Sequence, residues 1–139
     1  MSALVRQASC VSISGRAVLI EGPPGSGKSS LVLALVDRGA ELVGDDAVAL
    51  QTRAGRLWAG PPPNIAGKLE IRNVGIIELP AVEAPVALAV RLDPDAERYV
   101  EAAGIERIEN LPIPTIRLWP GSPVLALRTE WALRLHGLV

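Results

Sequence analysis

The sequence predicts an α/β domain of the P-loop type with a mixed sheet, and three observations carry that reading. Residues 22–29 read Gly-Pro-Pro-Gly-Ser-Gly-Lys-Ser and fit the phosphate-cradling pattern G-x-x-x-x-G-K-S/T at every fixed position. An apolar run at 17–20 enters this stretch and a helix-forming run at 31–36 leaves it, so strand, glycine loop and helix follow in the required order. Alternating segments before the loop form a hairpin, whereas a simple doubly wound sheet opens on the loop strand itself.

Each element has its own signal. Residues 3–13 alternate and carry Val5, Cys10, Val11 and Ile13, which predicts one strand. Ser14-Gly15-Arg16 marks a turn, and 17–21 return as the second arm of the hairpin. A helix runs from about Lys28 to Arg38 and stops at Gly39, a residue suited to the position that ends helices. Its apolar residues face several sides, so it packs against a sheet. Glu41-Leu42-Val43-Gly44 is a short strand leading into Asp45-Asp46, and 47–51 with 57–59 form a second hairpin around 53–56. Gly60-Pro61-Pro62-Pro63 forces an extended loop. Residues 69–77 alternate for part of their length, and 86–92 make another strand. Asp93-Pro94 pairs a cap with a first-turn proline, which predicts a helix from Pro94 to Ala103 ending at Gly104. Residues 111–120 hold three prolines and an extended 115–118. Ser122-Pro123 repeats the cap signal before an apolar helix to about Leu135. No repeat and no linker divides the chain, so 1–139 reads as a single domain.

Composition narrows the classes. A chain of 139 residues with 49% apolar and 21% charged residues can bury a core and carries no disorder signature. A net charge of −1, scattered basic residues, three Trp, one Tyr and no Phe argue against nucleic acid as a partner. Cys10 is the sole cysteine, which excludes an internal disulfide and fits a reducing, cytoplasmic setting. Within its alternating stretch Cys10 reads as a small core residue. The first residues lack the apolar segment of a signal peptide, and the longest apolar run, 84–90, is far too short to span a membrane. A mean hydropathy of +0.31 leaves room for a homo-oligomer.

The chemistry centres on the loop. Glycines let the backbone fold tightly enough for successive N–H groups to point at one phosphate, and the following helix adds its positive end. Gly22, Gly25, Ser26, Gly27, Lys28, Ser29 and Ser30 form the phosphate-binding set, with Lys28 reaching the β- and γ-phosphates and the Ser29 hydroxyl on magnesium. Phosphoryl transfer also needs metal ligands and a group that takes the acceptor's proton. Asp45-Asp46 stands at a strand end, where ligands sit in α/β sheets. Adjacent residues on an extended chain point opposite ways, so the two aspartates either divide the work, one facing the γ-phosphate and acceptor and the other backbone or metal, or form a solvated turn or helix cap; their position favours the first. Glu70 and Arg72 fall on one face of the strand after the triple proline, either as a metal and phosphate pair or as an edge-strand salt bridge. His136 near the end of the last helix suits the dipole there, and Trp58, Trp119 and Trp131 read as core or interface anchors.

These pieces together resemble the catalytic domain of the HPr kinase/phosphorylase family, bacterial enzymes that act on a serine of the phosphocarrier protein HPr. The resemblance rests on GPPGSGKS behind a hairpin, then LVGDDAV at 42–48, then GPPPNIAGKLEIRNVGII at 60–77, with LPIPTIRLWPG at 111–121 as a divergent C-terminal loop. It implies a P-loop in a mixed α/β sheet akin to phosphoenolpyruvate carboxykinase. It also implies ATP and Mg2+ as cofactors, HPr as partner, and kinase action with a possible reverse phosphorolysis. Asp45 matches the family's general base, with Asp46 its neighbour; Glu70 matches a metal-binding glutamate and Arg72 the signature arginine. The chain is similar to the short form found in some proteobacteria. Gln7 stands where the family has a histidine, and a glutamine cannot transfer a proton. Asn73 stands where the signature has glycine, adding bulk or changing the backbone. These two departures support an alternative, a nucleotide-binding regulatory domain with little or no transfer activity. A small-molecule kinase on the same scaffold is a third reading.

Overall fold

The computed structural model describes residues 4–64 and 66–139; Ala3, expected in the first strand, and Ile65, within the 60–77 stretch, lie outside the described residues. The helix–sheet–sheet layering grows from the two faces of the central strands. The first segment is two strands, β1 (Leu4–Arg6) and β2 (Ser9–Ile13), because the chain bends at Gln7–Ala8 instead of running straight through. β2 pairs antiparallel with β3 (Arg16–Glu21), giving the expected hairpin. The loop follows, then α1 (Lys28–Asp37) and β4 (Glu41–Gly44), which returns beside β2. β5 (Val48–Arg53) and β6 (Arg56–Gly60) form the second expected hairpin, and β7 (Lys68–Ile71) with β8 (Gly75–Glu78) makes a separate two-stranded sheet. β9 (Ala84–Leu92), β10 (Gly104–Ile108), β11 (Leu111–Leu118) and α2 (Leu125–His136) complete the chain.

The order β1-β5-β6-β9-β3-β2-β4 is mixed, as the opening hairpin requires. β9 is the hub: it runs parallel to β3 along one edge, and its other edge is shared by antiparallel β6 at its start and parallel β11 at its end. One face of β3 and β9 presents Val18, Ile20, Leu88 and Val90 to α1 and α2. The other presents Leu19, Val86 and Ala89 to Val48, Leu50 and Leu57, so β5 and β6 curl back over the central strands. That double burial explains the near-continuous apolar runs of these two strands. It also sets the end at which β3 stops, and the loop begins there.

Three expectations need correction. The Asp93-Pro94 signal yields one turn, not a helix: Asp93 Oδ1 accepts the Asp95 N–H at 2.8 Å and the Asp93 carbonyl accepts Ala96 N–H at 3.1 Å, after which the chain goes on without helix. Residues 97–102 are all exposed, and a ten-residue helix with no buried face does not hold in water. Ser122 likewise caps a turn, accepting the Val124 N–H at 3.1 Å, and α2 begins at Leu125. Trp119 and Trp131 are about half exposed, at 49% and 55%, so the core alternative falls for both and the interface alternative is the one left. The prolines of β11 are accommodated because its parallel ladder with β9 starts at Thr115, past Pro112 and Pro114.

Cys10 is fully buried, as its alternating context predicts, and burial pushes its thiol well above the ordinary cysteine range. It is therefore a neutral, unreactive thiol at neutral pH. A thiol reagent such as DTNB is expected to leave the native chain unlabelled for hours and to titrate Cys10 at once in denaturant; rapid labelling of the native chain would contradict this burial.

Candidate functional site

The loop between β3 and α1 holds its shape through left-handed backbone. Gly25 and Gly27 sit at φ +78° and +99°, angles that side-chain-bearing residues rarely adopt. The Ser26 N–H donates to the Pro23 carbonyl at 3.1 Å, closing the turn. Gly27 is the N-cap of α1 and offers no side-chain cap, and the first turn carries no acidic residue. The helix thus starts with unpaired N–H groups and an uncompensated positive end, the arrangement that receives an anion. The Ser26 Oγ is buried against Gly22 without a hydrogen-bond partner, a polar atom tucked inside the loop. Lys28 Nζ donates to the Gly22 and Pro23 carbonyls at 2.8 and 3.2 Å, neutral acceptors that a phosphate would outcompete.

β4 delivers Asp45 to the same place. β2 and β4 lose register between Cys10 and Val11, which puts Gly44 opposite Cys10 and carries Asp45 up to Ser9. Gly44 has no room for a Cβ, which would run into the Ala47 carbonyl and lie 2.9 Å from Val48 Cγ1. The Ser29 hydroxyl donates to Asp45 Oδ1 at 2.8 Å, and the Ser9 hydroxyl donates to the same oxygen at 3.1 Å. Ser9 Oγ in turn accepts the Asp46 N–H at 3.3 Å. Asp46, at φ +65°, turns outward and lines the cleft while Asp45 is held behind Ser29. The two aspartates point apart, but not for the expected reason: they follow β4 in a bend, and the left-handed backbone of Asp46 is what separates them. Ser9 is the member that the sequence reading missed. It is a buried polar residue in an apolar strand, and only the β2–β4 pairing reveals its partner.

The open cleft above the loop has a volume of about 740 Å³. Gly22, Gly25, Gly27, Lys28, Ser29 and Ser30 line it from the loop, Gln7 from the β1–β2 bend, and Glu70 and Arg72 from the β7–β8 hairpin. Asp45 and Ser26 are the two predicted residues set back from its surface. Arg72 lies in the turn after β7 instead of on the strand, so strand alternation does not bring it beside Glu70; both nevertheless face the cleft. Asn73 occupies that turn at φ +70°, a left-handed conformation that asparagine tolerates better than other non-glycine residues. The turn therefore keeps the backbone a glycine would supply. Among the described residues no three His, Cys, Asp or Glu side chains gather to form a metal cluster. His136 closes the last turn of α2 together with Arg134, as its dipole role predicts.

Residues 2–84, which include the loop, the aspartate pair and the β7–β8 hairpin, match the family model described as HPr Serine kinase C-terminal domain. The chain belongs to this family. Members of the HPr kinase family are similar to it along much of its length: an HPr kinase/phosphorylase of Streptococcus thermophilus is 41% identical over 101 residues, 72% of this chain and 31% of that protein. One from Clostridium tetani is 42% identical over 72 residues, 52% of this chain and 24% of that protein. The chain thus spans between a quarter and a third of the length of these relatives. The solved structure of the Hpr(Ser) kinase/phosphatase from Coxiella burnetii superposes with a TM-score of 0.82 at 30% identity, covering 94% of this chain and 88% of that one. The HPr kinase fold therefore extends past the matched segment through β9 to α2. No helix among the described residues is long and apolar enough to cross a membrane.

The Asn73 turn gives a test. Asn73→Ala is expected to destabilise the chain by about 1 kcal/mol, the cost of a left-handed residue with a plain Cβ, while Asn73→Gly stays within a few tenths. Urea unfolding midpoints measure both, and equal stability of the two variants would show that this conformation is not required.

Proposed function

We propose that the chain is a protein serine kinase that transfers the γ-phosphate of ATP to a serine of HPr in the cytoplasm. Membership of the HPr kinase family supports the reaction class, and the names of the relatives support the acceptor. The observation that carries the reading is the Ser29–Asp45 hydrogen bond inside a P-loop cleft. It joins the loop hydroxyl that would meet magnesium to a carboxylate from a second strand end, a pairing that a glycine turn without a ligand does not need.

The residues fit a magnesium–triphosphate. Backbone N–H groups of the loop and Lys28 suit the phosphate oxygens, with Ser26 set back behind them; Ser29, backed by Asp45, and Glu70 suit the metal. Magnesium keeps several waters and takes few protein ligands, so this sparse set suits it. When bound, it supplies neutralisation of phosphate charge. The resemblance gives Asp45 the proton-accepting role. The hydrogen bonds favour a division in which Asp45 fixes Ser29 and the metal side, and Asp46, which faces the cleft, takes the proton of the attacking serine. Arg72 offsets charge on the transferred group from the opposite wall. Gln7, on the cleft wall, cannot move a proton, and this favours forward transfer over phosphorolysis.

Radiolabel transfer from ATP to HPr tests the reading. Asp46→Asn is expected to lower turnover by on the order of 10²-fold with nucleotide affinity kept, as for loss of a general base. Asp45→Asn is expected to weaken binding of magnesium–ATP as well. Near-normal turnover of Asp46→Asn returns the proton-accepting role to Asp45. Binding of ATP by the wild-type chain without transfer to HPr would leave the nucleotide-binding regulatory domain as the function.

A further inference from the structure

Among the described residues β1 pairs along its backbone with β5 alone, on the curled-over part of the sheet, whereas β3 lies in the central part. Gln7 follows the last residue of β1, and Gly22 follows the last residue of β3. On its C-terminal side Gln7 is two residues from Ser9, which pairs with Ile20 of β3; on its N-terminal side its place depends on what ties Arg6 to Glu21. Arg6 donates from Nε and Nη2 to the two Glu21 carboxylate oxygens at 3.2 and 3.1 Å, a two-point clamp. Its Nη2 also donates to Glu106 on β10 at 2.7 Å. Glu106 in turn lies 4.0 Å from Arg91, the register partner of Glu21 on β9. All three clamp side chains are mostly shielded, with exposures of 29% for Arg6, 14% for Glu21 and 28% for Glu106. Burial by itself would lower the Arg6 pKa, and its two carboxylate partners more than offset that. None of the four side chains takes part in the chemistry proposed above.

We infer that Arg6 is a positioning residue: its clamp on Glu21, braced by Glu106, joins the curled sheet to the central sheet at the mouth of the cleft and fixes Gln7 across from the phosphate loop. A planar guanidinium bound at two points sets orientation as well as distance, which a lysine cannot do. The inference deepens the reading of this cleft as a nucleotide site and rests on it for its catalytic consequence. Its structural part stands on the free chain.

Both parts are tested together on the full chain. In Arg6→Ala, amide hydrogen exchange at residues 7–9 and at Gly22, Gly25 and Ser26 is expected to speed up by about tenfold through local opening, while β9 amides keep their rates. Affinity for a fluorescent ATP analogue with magnesium, and transfer to HPr, are expected to fall by roughly tenfold from misplacement. In a Gln7→Ala background, removing Arg6 should cost little more, because the two residues act through one position. Arg6→Lys keeps charge and folding and is expected to give the same exchange pattern at smaller amplitude. Unchanged exchange at 7–9 in both variants overturns the placing role, and full additivity with Gln7→Ala overturns its route through Gln7. A wild-type chain that binds no nucleotide overturns the reading of the cleft, and exchange then decides the clamp alone.

Discussion

An α-helix that starts with no side-chain cap leaves N–H groups unpaired and its positive end uncompensated, and α1 starts in that way beneath the glycine loop. The rest of the structure is arranged around that deficit. β3 brings the loop to it, buried on both faces so that its end cannot wander. β4 brings a carboxylate to the serine that follows the loop lysine. The β7–β8 hairpin closes the far wall with one acid and one base. An anion with an attached cation would satisfy these groups at once, which no single side chain among the described residues does.

Mixed strand directions make this convergence possible. In a purely parallel sheet every strand end on the ligand side is a carboxyl end. Here antiparallel β2 lies between β3 and β4, so its beginning meets their ends, and Ser9 stands between Ile20 and Asp45. The same geometry explains why the chain bends at Gln7–Ala8. β1 belongs to the curled part of the sheet and β2 to the central part, and the two residues between them cross the layer boundary at the cleft. A charged clamp from Arg6 to Glu21 adds a side-chain tie across that boundary, beside the backbone pairing of Ser9 with Ile20.

The local signals that held were those whose meaning does not depend on neighbours. The loop pattern, both hairpins around Gly15 and Gly55, and the extent of α1 are set by backbone angles and short-range periodicity, and each was found in place. The cap signal at Asp93-Pro94 failed because a cap only starts a helix. Continuing one requires an apolar face with something to bury it, and residues 97–102 have neither. Asn73 showed the reverse: a departure from glycine that looked disruptive in sequence kept the left-handed turn.

The residues by themselves determined that this is a mixed α/β chain with a phosphate loop and an aspartate pair at a strand tip, since these follow from spacing and turn chemistry. Tertiary structure alone decided which aspartate faces Ser29 and which faces the cleft, that Ser9 joins them, that Arg72 reaches the site from a turn, and that Arg6 reaches Glu21. Each of these is a relation between segments distant in sequence. Such contacts are set by register and by the curl of a sheet around two cores, quantities that no local pattern encodes.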